Sequence, residues 1–167
     1  MAKPIGLEAV TETSTTDVYG VGTTFMNEAT GKKFVWVVNA GADAIAAGDV
    51  VALFKTTPSG GRVSVTAATV FDSSDGTTTR ARVAGIGVGA IAAASYGFLQ
   101  CGGYCTNITT DTNITAGMGL ICADGAKLAT PNTTDSTAHW CEFGFADLAD
   151  TAAVGTGYLT NCVYTAL

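Results

Sequence analysis

The chain has 167 residues and a formal net charge of −6, with 8 Lys and Arg against 14 Asp and Glu. That length fits one large domain or two small ones, and a chain this acidic lacks the positive footprint that phosphate backbones require. Hydrophobic residues reach 47%, yet no stretch approaches the roughly 20 unbroken apolar residues of a spanning helix, so neither nucleic acid nor membrane is an expected partner.

Residues Met1 to Gly6 lack a basic region followed by an apolar core, so no signal peptide is expected. Residues 1–20 show no clear period and read as an extended N-terminal arm, followed by a single β-rich domain over 21–167. Residues 21–26 then face 33–39 across Asn27 to Lys32, a hairpin with Gly31 suited to a positive φ. Further strands are predicted at 49–55, 62–66, 80–91, 97–105, 118–122, 126–129, 139–146 and 157–164. Pro58-Ser59-Gly60-Gly61, Asp72-Ser73-Ser74-Asp75-Gly76 and Asp124-Gly125 punctuate them as turns. Thr, Val and Gly dominate while Glu, Lys, Gln and Leu are sparse, which favours strands over helices. The one competing helix, Phe145 to Ala153, carries few apolar positions. The expected fold class is all-β: a barrel or sandwich of many short strands with little helix.

An internal repeat is the most informative feature. Ile45-Ala46-Ala47-Gly48-Asp49-Val50 recurs as Ile91-Ala92-Ala93-Ala94-Ser95-Tyr96 and again as Ile114-Thr115-Ala116-Gly117-Met118-Gly119. Each reads as an apolar anchor, a turn of small residues, then a strand. Only small side chains fit a crossover that tight.

The stretch from Thr23 through Lys33-Phe34-Val35-Trp36-Val37-Val38-Asn39, followed by Ile45 to Val51, resembles small capsid decoration (cement) proteins of tailed bacteriophages. So do Ala84 to Ile91 with Tyr96 to Gly103, and Gly144 to Leu148 with Gly157-Tyr158-Leu159. The resemblance spans roughly 20–164 and rests on short apolar and turn motifs. It implies a virion protein on the capsid exterior, made in the host cytoplasm, binding the major capsid protein lattice and stabilising the shell. It also implies a homo-oligomer, with a trimer plausible. The alternative is a tail, fibre or adhesin component binding a host surface.

No set of residues predicts catalysis, and no catalytic, cofactor-binding or metal residue is expected. Gly85-Ile86-Gly87-Val88-Gly89-Ala90 matches G-x-G-x-x-A, but the dinucleotide fingerprint needs a helix to follow, and Ser95-Tyr96-Gly97 points to a strand. His139 is the only histidine and has no sequence-evident nucleophile partner. Cys101 and Cys105 lack the second pair of a zinc site, since Cys122, Cys141 and Cys162 are scattered. An odd number of cysteines also argues against a disulfide framework. Asp72 and Asp75, with Asp43 and Asp49, lack the later Glu of a calcium loop, and Glu28 and Glu142 have no placed partner for glycoside hydrolysis. Charged residues are only 13%, against a usual share of roughly 25%. A surface so poor in charge is expected to be covered partly by neighbouring subunits. The elements expected to make those contacts are the arm 1–20 and the loops 72–79 and 106–116. Tyr19 and Phe25 are candidates to dock on a neighbour.

Overall fold

The computed structural model describes residues 10–53, 62–64, 83–110, 114–122, 129–131, 142–149, 153–160 and 162. The loop 72–79, His139 and Cys141 lie outside them. Among the described residues there are eleven strands and no α-helix: β1 (Thr13–Ser14), β2 (Thr24–Asn27), β3 (Lys32–Asn39), β4 (Val50–Leu53), β5 (Arg62–Ser64), β6 (Val83–Gly87), β7 (Tyr96–Thr109), β8 (Gly119–Cys122), β9 (Ala129–Pro131), β10 (Gly144–Ala146) and β11 (Val154–Leu159). The protein is all-β, as the sequence predicts. Phe145 and Ala146, at the start of the competing helix, lie in a strand.

Pairing joins the strands into one sheet in the order β2-β3-β5-β4-β6-β7-β11-β10-β8-β9, with β1 on β7. A second ladder between β3 and β7 curls the β3-β5-β4-β6-β7 run round on itself. The remaining strands leave β2 and β9 as ends, so the sheet as a whole is not closed. The predicted hairpin is β2-β3, and Gly31 takes φ +67° in its turn.

β7 belongs to both halves of the sheet. Its first part pairs with β3 and β6 and its second with β11. Between them Gly103 adopts φ +79°, and a Cβ there would meet the Gly31 carbonyl oxygen at 2.6 Å. β7 carries a bulge just before Gly103, where Lys33 and Phe34 face Gly102 and Gln100, and the buried Gln100 amide donates to the carbonyls of Gly102 (3.2 Å) and Tyr104 (2.9 Å). A bulge bends and twists its strand, which lets one strand serve two differently oriented halves.

The buried residues fall into clusters on either side of this sheet. Val35, Val37, Val51, Ala84 and Leu99 pack together with the anchors Ile45 and Ile91. Val50, Ile86, Ile108, Leu120, Phe143 and Leu159 form a second cluster with the third anchor, Ile114. On β3 the alternate side chains Phe34 and Trp36 are buried too. Residues 10–21 cover them. Tyr19 stands edge-on to Trp36 with ring centroids 4.8 Å apart and contacts Phe98 at 5.4 Å. The Trp36 indole N–H donates to Asp17 at 2.8 Å, and the Tyr19 hydroxyl donates to Glu12 at 2.7 Å. Tyr19, expected on a neighbour, is packed inside its own chain. Phe25 is half-buried, its ring stacked on Phe34 at 6.3 Å. An aromatic core position of this kind is worth about 3–5 kcal/mol against alanine.

The three repeat copies take one conformation. In each, a backbone hydrogen bond closes a four-residue turn: Asp49 to Ala46 (3.3 Å), Ser95 to Ala92 (3.1 Å) and Met118 to Thr115 (3.1 Å). The third residue of each turn has positive φ: Gly48 +89°, Ala94 +57° and Gly117 +81°. That is the position at which a type II turn favours glycine. Each turn then docks on the last residue of a strand by a reciprocal pair of hydrogen bonds. Gly48 donates to Gly87 and Gly87 to Asp49; Ala94 donates to Asn39 and Asn39 to Ser95; Gly117 donates to Ala146 and Ala146 to Met118. All three strand ends, Gly87, Asn39 and Ala146, are buried.

Candidate interaction surface

The dinucleotide-like glycines have a structural explanation. Gly85 and Gly87 lie in β6, and the chain beyond them runs through the second repeat turn into β7, not into a helix. A Cβ on Gly85 would meet the Gln100 carbonyl oxygen at 2.6 Å, and one on Gly87 would meet that of Ala46. Asp49, a candidate cation ligand in the sequence, instead accepts the Ala46 N–H at 2.8 Å and caps the first turn from a buried position. Asp43 is exposed. No group of three or more His, Cys, Asp or Glu among the described residues is placed to hold a metal ion.

Cys101 and Cys105 are buried, unbridged thiols, and the unbridged Cys162, partly buried, packs against both core clusters. Burial pushes Cys101 up to about 11, only partly offset by Lys33. Burial also raises Cys105 and Cys162, the latter further through the other two thiols. A thiolate is the nucleophile, so these groups are inert core sulfurs at neutral pH. A cleft of about 330 Å³ opens between Val10, Lys32, Phe34, Val88 and Asn107. Its lining holds no carboxylate or histidine, and its one thiol is Cys105.

The surface feature with binding chemistry lies on the other half of the sheet. Phe145 of β10 is directly opposite Tyr158 of β11, and Tyr158 is directly opposite Tyr104 of β7. Period-two alternation places the three side chains on one face, away from the buried Gly144, Ala146, Gly157 and Leu159. The rings form a continuous row. Phe145 stacks on Tyr158 at 5.2 Å and 22°, and Tyr158 meets Tyr104 at 5.0 Å and 51°. Phe145 and Tyr158 remain 40% and 41% exposed, and Leu148 in the turn after β10 and Val154 at the start of β11 are 61% and 53% exposed. The Tyr104 hydroxyl donates to Asp147 at 3.1 Å, tying the row to the turn after β10. An exposed aromatic and aliphatic group on a rigid sheet is the composition of an interface centre.

The segment 106–116, one of the elements expected to make contacts, lies on this half as well. Of 106–116, residues 106–109 are strand β7, 114–117 are the third repeat turn and 111–113 lie outside the described residues. Phe143 is core, whereas Phe145, two residues on in the same segment, faces outward. The alternation in Gly144-Phe145-Ala146, a large residue between two small ones on a short strand, was the available signal.

The chain matches no family model and no curated protein. Among solved structures it is similar to the N-terminal base of the head fibre gp8.5 of bacteriophage phi29. The two are 12% identical, the match covers 79% of this chain and 98% of that one, and the TM-score is 0.46. A likeness at that level decides nothing about fold or function.

Proposed function

We propose that the protein is a structural component of a tailed-phage virion, carried on the outside of the head and held there by its aromatic face. The observation that carries this reading is the exposed Phe145–Tyr158–Tyr104 row on a charge-poor all-β domain. The resemblance of the repeat and strand motifs to capsid decoration proteins supplies the kind of partner, the major capsid protein. Bound only in the assembled shell, such a protein stabilises it by mass action, in proportion to the affinity of the interface. No chemistry is required of it, and none of the buried thiols supplies any.

The test is addition of purified protein to heads prepared without it, followed by cryo-electron microscopy. A decoration protein adds at a fixed copy number per capsomer, and its own oligomeric state is read from the same density. Density confined to the tail, or no uptake, sinks the reading. A tail, fibre or adhesin component instead predicts that free protein binds host cells. The phi29 protein is a head fibre base in its own virion, and at this similarity it adds no weight to either reading.

A further inference from the structure

The aromatic row is bounded by acid at both ends. Asp147 follows Phe145 by two residues, and its Oδ2 accepts the Tyr104 hydroxyl at 3.1 Å. A carboxylate offers about four lone-pair directions, so a single such bond leaves it able to accept others. At the opposite end, Gly119 of β8 lies directly across from Phe145. The side-chain position that glycine leaves empty is taken by the Glu142 carboxyl, which a Cβ on Gly119 would strike. The face therefore combines exposed rings with the Asp147 carboxylate.

One protein side chain complements both properties. A guanidinium is planar and weakly hydrated, stacks on aromatic rings and makes paired N–H bonds to a carboxylate. An ammonium is a compact, strongly hydrated charge and fits the rings less well. We infer that the partner protein lays an arginine-bearing segment on the Phe145–Tyr158–Tyr104 row, with the guanidinium against Asp147. This rests on the reading of the row as the docking face and adds the chemistry of the surface it meets.

The experiment is an NMR titration of the purified protein with the capped tripeptide acetyl-Gly-Arg-Gly-amide. Its citrulline analogue, of nearly the same shape but uncharged, is the control. The expected result is movement of the Phe145, Tyr158 and Tyr104 ring signals, with the arginine peptide binding about fivefold more tightly than citrulline. Asp147→Asn, an isosteric change at a partly exposed site, should remove that advantage while leaving the spectrum of the fold intact. Equal response to the two peptides, or an advantage that survives Asp147→Asn, overturns the inference. Concentration-dependent shifts of the same signals without peptide would assign the row to a second copy of this chain, and would overturn it too. No heads enter the titration, so it fails separately from the head-uptake assay.

Discussion

The Ala94 N–H donates to the Asn39 carbonyl at 2.9 Å, and the Asn39 N–H answers by donating to Ser95 at 2.8 Å. This reciprocal pair seats the second repeat turn on the end of β3. Gly87 and Ala146 hold the other two turns in the same way. Ala94 is the only copy without glycine at the positive-φ position, and the only non-glycine residue with positive φ among those described. The side chain of Asn39 goes further than its two counterparts. Its Nδ2 donates to the carbonyls of Asp43 (2.9 Å), Ile91 (3.1 Å) and Ala92 (3.2 Å).

Ala94→Gly should therefore stabilise the protein by about 1 kcal/mol, by removing left-handed strain from an alanine. Gly117→Ala should cost about the same, because φ is +81° but a Cβ there meets nothing within 4 Å. Gly48→Ala should cost more than Gly117→Ala, since its Cβ would also press on Thr109 at 2.9 Å. Chemical denaturation of the three variants gives the ranking. An Ala94→Gly variant less stable than the parent would refute the turn argument.

Asn39→Ala should destabilise by about 2–4 kcal/mol. Asn39 is fully buried, and the change strips the donor from three carbonyls while leaving a void. The backbone pair with Ala94 and Ser95 survives in this variant. Chemical denaturation measures the difference, and a loss of stability well below about 1 kcal/mol would mean that water replaces the amide.

Removing residues 1–20 should lower the melting temperature by several degrees, in contrast to the neutral effect expected of a free arm. The truncation uncovers Trp36 and Phe98 and deletes Asp17, the acceptor for the Trp36 indole. Tyr19→Ala alone should cost about 3 kcal/mol, within the range of buried aromatic truncations. Thermal unfolding followed by tryptophan fluorescence reads both. An unchanged melting temperature in the truncated protein would contradict the packing of this segment.

The thiols give a pH signature. Cys101 is raised from 9.0 in the unfolded chain to about 11 in the fold, so the folded state holds its proton longer. The stability this contributes is complete below pH 9 and is lost as pH rises through about 11, because the unfolded state releases the proton first. At about pH 8 the thiolate fraction of Cys101 should be lower by about 100-fold than in unfolded protein, a shift of about two units. Alkylation by iodoacetamide, read by mass spectrometry of the peptides, should be slower by at least that factor. Rapid labelling of Cys101 in native protein would count against its burial.

How far the sequence reached is clearest at two places. The repeat was fully legible: an isoleucine anchor, small residues and a glycine-like third position define a tight turn before a strand, and local backbone sterics enforce the same turn three times. The all-β class came from the same local preferences, since Thr- and Val-rich segments cut by glycine extend at little cost and cannot sustain a helix. Trp36 shows where local reasoning stopped. Lys32 to Asn39 announces a strand, but a strand has two faces, and nothing within it says that residues 10–21 will return to bury the second. The aromatic row shows the same limit from the other side. Phe145, Tyr158 and Tyr104 read only as members of three separate predicted strands; only the register of β10 on β11 and of β11 on β7 aligns them on one exposed face. A shift of one residue would turn each side chain to the opposite face. Strands and the turns joining them are local properties, written in neighbouring residues and their backbone preferences. Which face of each strand meets solvent is a property of distant partners, and it is settled only when the sheet assembles.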